Sequence, residues 1–220
     1  MRAVRVAAVA SERPDTKGIV ASGYDAVADR YESLEHDDRP WPRMRWLAVL
    51  LALLDDDSSV LEVGCGNGVP ATRAIARRHR VTGIDVSAEQ VEQARHNVPN
   101  ADLRRGDFMD VSLEGPFDAI AAFYVIDHLP RELHPTVLRR LRTLLRPLGH
   151  LLFTIEPDDE PGDVRDWLGV PMFFSQYDAA KTLALVREAG FDVVRHAVES
   201  QLEGQHEVAY LWVLARRSES

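Results

Sequence analysis

Apolar and polar positions follow two periods along this chain. Short β-branched runs predict buried strands over residues 60–63, 80–85, 101–105, 117–124 and 151–155, with two more near 192–199 and 207–215. Between them, apolar residues recur at spacings of three and four. Trp46, Leu47, Leu50, Leu51 and Leu54 predict a helix over 41–54, and Leu133, Val137, Leu138, Leu141, Leu144 and Leu145 predict one over 131–146. Further helices are expected over 23–31, 70–79, from the Ser87 cap (with Gln90 at the capping-box position) to Asn97, and over 177–188, where Ala189-Gly190-Phe191 ends the last one. Residues 1–20 show no period and read as a loose arm before a domain over 21–220. Residues 156–175 are the least regular: acidic at Asp158, Asp159, Glu160, Asp163 and Asp166, then apolar at Trp167, Met172, Phe173 and Phe174. The expected fold is α/β: a seven-stranded, mostly parallel sheet with helices on both faces and one antiparallel strand near the edge.

One junction carries chemistry. The first strand runs into Gly64, Cys65, Gly66, Asn67 and Gly68, where glycines at alternate positions let the chain bend and a ligand approach. A glycine-rich turn between strand and helix opens a nucleotide-type site at the carboxyl ends of parallel strands. The dinucleotide pattern would need glycine at 69, where Val69 stands. Glu62 at the strand end would repel a pyrophosphate and suits a ligand carrying a cation. Asp85 ends the second strand, 21 residues beyond Gly64, at the spacing of an acid that holds ribose hydroxyls.

Composition narrows the partners. The chain has 220 residues, 45% of them hydrophobic, enough for one domain with a sizeable core. A net charge of −9 disfavours nucleic acid or an anionic membrane. The lone cysteine, Cys65, permits no internal disulfide, which with the absence of a long apolar run suggests a cytoplasmic protein, monomer or homodimer. Cys65 reads as a loop filler rather than a nucleophile.

Glu62, Gly64, Gly66 and Gly68 stand as E-x-G-x-G-x-G, and this stretch resembles motif I of the class I S-adenosylmethionine (SAM)-dependent methyltransferases of small-molecule type. Gly106-Asp107-Phe108 resembles the family's G-D segment, and 117–129 its F-D-x-I…H-L element. The turn at 146–150 matches L-R-P-G-G, except that Leu148 replaces the first glycine. Tyr24 to Tyr31 resembles the Y-D-x-x-A-x-x-Y segment of a lid over the cofactor, within lid helices over about 23–54. The resemblance implies a Rossmann-like fold and an enzyme of class EC 2.1.1.- that uses SAM and yields S-adenosylhomocysteine (SAH). It implies cofactor contacts from Tyr24, Tyr31, Glu62, Gly64, Cys65, Gly66, Asn67, Gly68, Asp85 and Val86. It adds Asp107 to the adenine amino group, the Phe108 amide to a ring nitrogen and the Phe123 backbone to the ammonium. It also implies that 156–175 forms the acceptor pocket, and its acids would favour a neutral or cationic small molecule.

Displacement at a sulfonium methyl needs alignment, exclusion of water and sometimes removal of a proton. His128 is the candidate base and Tyr124 the second catalytic candidate; Tyr124 and Asp127 stand near enough in sequence to orient His128 or the acceptor. A packing role is the other reading of His128. Of the eight histidines, the seven besides His128 lack metal-ligand spacing, so no metal is expected. Two other classes stay open: a protein or RNA methyltransferase, and a SAM-binding protein of this fold that does not methylate.

Overall fold

The computed structural model describes residues 15–31, 42–203 and 206–219. Seven strands form one sheet: β1 (Ser59–Val63), β2 (Arg80–Asp85), β3 (Asp102–Arg105), β4 (Phe117–Ala122), β5 (Leu145–Ile155), β8 (Phe191–Glu203) and β9 (His206–Arg217). A separate hairpin pairs β6 (Glu160–Trp167) with β7 (Val170–Gln176). The large sheet has the order β3-β2-β1-β4-β5-β9-β8. The first five strands run parallel, and β9 runs antiparallel between β5 and the edge strand β8. This is the predicted architecture.

The core follows the period-two alternation of strands. Leu61, Val63, Ile120, Ala122, Leu151, Phe153, Leu211 and Val213 face one side. There they meet α5 (His134–Leu144) and α6 (Ala179–Glu188) through Val137, Leu138, Leu141, Leu185 and Val186. Val60, Ala119, Ala121, Leu152, Trp212 and Leu214 face the other, against α2 (Pro42–Leu51) and α3 (Ala71–Ile75) through Trp46, Leu47, Leu50 and Ile75. Each fully buried large side chain contributes about 1.5–3 kcal/mol. Strand order reverses at β1, between β2 and β4, so their carboxyl ends leave a crevice there.

Several boundaries differ from expectation. The first helix, α1, spans Thr16–Tyr31 and so begins seven residues before the expected 23, inside what was read as an arm; residues 1–14 lie outside the described part. Its uneven apolar pattern hides it from periodicity, and contact with β7 completes it. Trp41 also lies outside the described residues, and α2 ends at Leu51 rather than 54. Only Ala71–Ile75 of 70–79 is α-helical, because Arg78 and His79 both bond back to the Ile75 carbonyl and close a turn. The region 131–146 opens as a 3-10 turn, Arg131–Leu133, and its last two residues already belong to β5.

The irregular acidic stretch is the hairpin β6–β7. Leu168 (φ 54°) and Gly169 (φ 78°) both take left-handed backbone at its tip, as a two-residue hairpin turn requires. A leucine at the first of those positions lacks the usual Asn-Gly signal, so the sequence conceals the turn. Met172, Phe173 and Phe174 are buried with Val20, and Tyr24 packs on them, so the hairpin roofs α1.

Candidate functional site

A cleft of about 990 Å³, including the solvent at its mouth, opens at the β1–β4 crevice. Glu62, Gly64, Cys65, Gly66, Asn67, Asp85, Val86, Asp107, Phe108, Phe123, Tyr124 and His128 all line it, as does Tyr24 from α1. The structure gathers these sequence candidates into one place, but Gly68 is not among the lining residues and packs instead against Val98 and Ala94. For Tyr31 the side chain lies outside the described residues.

Backbone geometry explains the loop. Gly64 has φ 71°, and a Cβ there would sit 2.1 Å from Cγ2 of Val125. No other residue fits that position. Asn67 Oδ1 accepts from the Val69 amide at 3.0 Å and closes the turn. Cys65 is buried beside Ala94 and Leu103, and burial pushes its thiol well above the ordinary range, which suits a filler.

Three carboxylates stand at successive strand tips. Glu62 is 2% exposed and accepts from Thr72 Oγ1 at 2.6 Å. Burial raises its pKa to about 7, against the pull of Thr72 and Arg43. Asp85 accepts from the Gly66 amide at 2.9 Å and from the Ser87 amide at 2.9 Å, so it ties the loop to α4 (Ala88–Asn97). Burial raises its pKa despite those bonds. Asp107 accepts from the Met109 amide at 2.8 Å and pairs with Lys17 at 2.5 Å. Phe108 turns its ring into the core beneath.

Lys17 was invisible to the sequence reading, because the start of α1, Lys17 included, was read as part of a loose arm. It also pairs with Asp110 at 2.9 Å. Asp25 accepts from Ser87 Oγ at 2.5 Å, and Asp29 from Gln93 at 3.0 Å, which lays α1 along α4 and across the cleft.

At the far end, His128 is 8% exposed. Its Nδ1 lies 2.8 Å from the Phe173 carbonyl, which can only accept, so Nδ1 carries the proton. Nε2 then accepts from the Tyr24 hydroxyl at 2.8 Å. Burial lowers the pKa of the imidazole and keeps it neutral. The expected orientation of His128 by Tyr124 or Asp127 is not what forms. Tyr124 sits in left-handed backbone (φ 58°) with its amide on Thr154 Oγ1 at 2.8 Å, and its hydroxyl donates to Gln201 at 3.0 Å. Asp127 is buried with Oδ1 unpartnered among the described residues. A histidine and its partner from a distant helix leave no local sequence signal.

Two further cleft residues were read only as structural or set aside. Gln90 does not complete the capping box. It is 1% exposed, with neither amide atom partnered among the described residues. Arg43, 8% exposed, lies over the Tyr124 ring at 5.5 Å and lines the cleft. The lid acids do not line it: Asp158 and Asp159 are exposed, Asp159 pairs with Arg131 at 2.8 Å, and Glu160 accepts from the Gly162 amide.

Residues 60–149 match the family model described as "Methyltransferase domain". The chain is 33% identical over 159 residues to 27-O-demethylrifamycin SV methyltransferase of Amycolatopsis mediterranei, covering 62% of this chain and 57% of that protein. It is 28% identical over 141 residues to the ubiquinone biosynthesis O-methyltransferase of Vibrio campbellii, covering 60% and 59%. The chain thus spans less than two thirds of these relatives. The fold matches the Burkholderia thailandensis 1,6-didemethyltoxoflavin-N1-methyltransferase, solved with 1,6-didemethyltoxoflavin and SAH. That match has TM-score 0.72 and 22% identity, over 97% of this chain and 93% of the other.

Proposed function

We propose that this chain is a class I SAM-dependent methyltransferase, as the methyltransferase-domain match over residues 60–149 and the similar methyltransferases support, and that it moves a methyl group from SAM to oxygen or nitrogen of a small-molecule acceptor. The observation that carries the reading is the set of three strand-tip acids, Glu62, Asp85 and Asp107, around one cleft that ends at the Tyr24–His128 pair.

The residues fit the cofactor. Asp85 keeps lone pairs for two ribose hydroxyls after its two amide bonds, and the unpartnered amide of Gln90 adds a donor and an acceptor beside it. Asp107 and the Phe108 amide suit the adenine edge, with Val86 on its face. Glu62 and the Phe123 carbonyl suit an ammonium, and Arg43 a carboxylate. SAM, when bound, supplies an electrophilic methyl with a thioether as leaving group. His128 Nε2 is the atom that takes a proton from an acceptor hydroxyl or amine, and the Phe173 carbonyl fixes the tautomer that leaves it free to do so. Tyr24 holds Nε2 until an acceptor replaces it, while α1 and β7 keep water out. Tyr124 positions the β4 loop through Gln201.

Calorimetry with SAM, SAH and NADH tests the cofactor, and product analysis with methyl-labelled SAM tests transfer. Binding of NADH in place of SAM, or SAM binding with no labelled product from small-molecule, tRNA or peptide acceptors, would overturn the reading.

A further inference from the structure

We propose that Asp127 and Gln176 form an acceptor subsite that recognises an N–H donor, most strongly an ammonium group. The proposal rests on the methyl-transfer reading and adds a substrate class to it.

Two buried atoms carry it. Asp127 Oδ1 and Gln176 Oε1 have no hydrogen-bond partner among the described residues, and their residues are 2% and 1% exposed. Both atoms are acceptors. Proteins rarely leave buried acceptors unpaired, and each exception calls for strain, a functional role, or a bound water, ion or ligand. A ligand that satisfies both must bring donors.

The surroundings favour a cation. Gln176 Nε2 donates to Glu156 at 3.3 Å, which orients the free Oε1. Glu156 and Glu203 both act on Asp127 by repulsion, with Arg165 as the opposing charge. Arg165 is committed to Glu156 at 2.8 Å and lies over the Phe174 ring at 4.0 Å. Glu203 is held by Gln201 at 2.9 Å and Tyr210 at 2.8 Å. Two partly exposed carboxylates, Glu156 and Glu203, thus flank the buried Asp127 with one exposed guanidinium, and an anionic acceptor would meet net repulsion. The region adjoins the cleft: Tyr124, which bonds Gln201, and His128, next to Asp127, both line it. Gln176 ends the strand whose Phe173 carbonyl holds His128. The turn at 126–128 packs against β7, so the proposed subsite sits behind the turn that carries the base, and neither Asp127 nor Gln176 lines the cleft itself. The lid acids at 158–160, outside the cleft, are not the source of this preference.

Burial and the two neighbouring carboxylates push Asp127 up to about 8. An ammonium beside it favours the ionised form, so amine binding near neutral pH releases protons. One arrangement needs no ligand: a protonated Asp127 donating to Gln176 Oε1. Gln176→Met then removes a hydrogen bond and lowers the melting temperature.

The test uses the full chain, with and without SAH, and a matched pair of probes, tyramine and 3-(4-hydroxyphenyl)propionate. Binding is followed by calorimetry in two buffers of different ionisation enthalpy. The expected result is tyramine binding at least about tenfold tighter than the acid, with proton release. Asp127→Asn brings the preference to within about threefold and abolishes the release. Gln176→Met weakens tyramine binding without lowering the melting temperature. Equal or reversed preference, no tyramine binding at millimolar concentration, or a preference unaltered in Asp127→Asn overturns the proposal. A destabilised Gln176→Met that keeps the preference does so too. Failure to bind SAM and SAH strikes the methyl-transfer reading instead. SAH binding without amine preference strikes only this proposal.

Discussion

The Tyr24 hydroxyl donates to Nε2 of His128 across 104 residues of sequence, at 2.8 Å. The bond joins α1 to the candidate base, so a displacement of α1 would change the hydrogen bonding of that base. His128→Gln is expected to lower kcat about 10²–10⁴-fold, the usual range for loss of a general base. Tyr24→Phe is expected to lower it less, about tenfold, with a larger rise in KM as the lid loosens. Steady-state kinetics on both variants checks this. Because burial lowers the His128 pKa, the acid limb of the kcat/KM profile should fall below the ordinary imidazole value. A limb at or above that value would remove His128 from the role.

Neutralising the strand tips should cost cofactor affinity. Charge-assisted hydrogen bonds are worth about 1.5–3 kcal/mol, so Asp85→Asn should weaken SAM binding by about 10- to 100-fold. Asp107→Asn should cost less, since Lys17 already competes for that carboxylate. Calorimetry on the two single variants gives the order; equal, small losses would contradict it.

Lys17→Met releases the latch between α1 and the β3 loop. Lys17 is half exposed, so the pair is modest in strength, on the order of 1 kcal/mol. The expected outcome is faster amide exchange in α1 and a severalfold faster SAM off-rate in stopped flow, approached in the wild type by raising salt. An α1 whose exchange ignores both changes would show that Lys17 is not the latch.

Glu62 and Asp127 are held at about 7 and about 8 in the folded protein, above ordinary carboxyl values. Between pH about 4 and 8 the folded state then binds more protons than the unfolded state, so stability falls as pH rises. Asp127→Asn should flatten this slope, by an amount on the order of a few kcal/mol across the window. His128 acts in the opposite sense below neutrality but is common to both proteins. Melting curves of both at several pH values would show parallel slopes if Asp127 were not raised.

Gly64→Ala should be among the costliest single changes. Its φ of 71° and the 2.1 Å approach to Val125 combine backbone strain with overlap. Together these cost about 2–5 kcal/mol, a melting shift of about 5–15 °C for a chain of this size. A fall of less than two degrees would mean the loop relaxes freely.

The sequence by itself determined the sheet, the glycine-rich turn and the acids at 62, 85 and 107, together with the Ser87 cap. Each is local: a period-two run, a backbone angle that only glycine tolerates, or a charge at a strand end is written within a few neighbouring residues. The tertiary structure decided the rest. It placed Tyr24 on His128, Lys17 on Asp107, Gln90 into the cleft and the β6–β7 hairpin over α1, and it left Asp127 Oδ1 and Gln176 Oε1 buried with no donor among the described residues. Those relations join residues far apart along the chain. They depend on which surfaces pack once the sheet exists, and residue spacing holds no record of that.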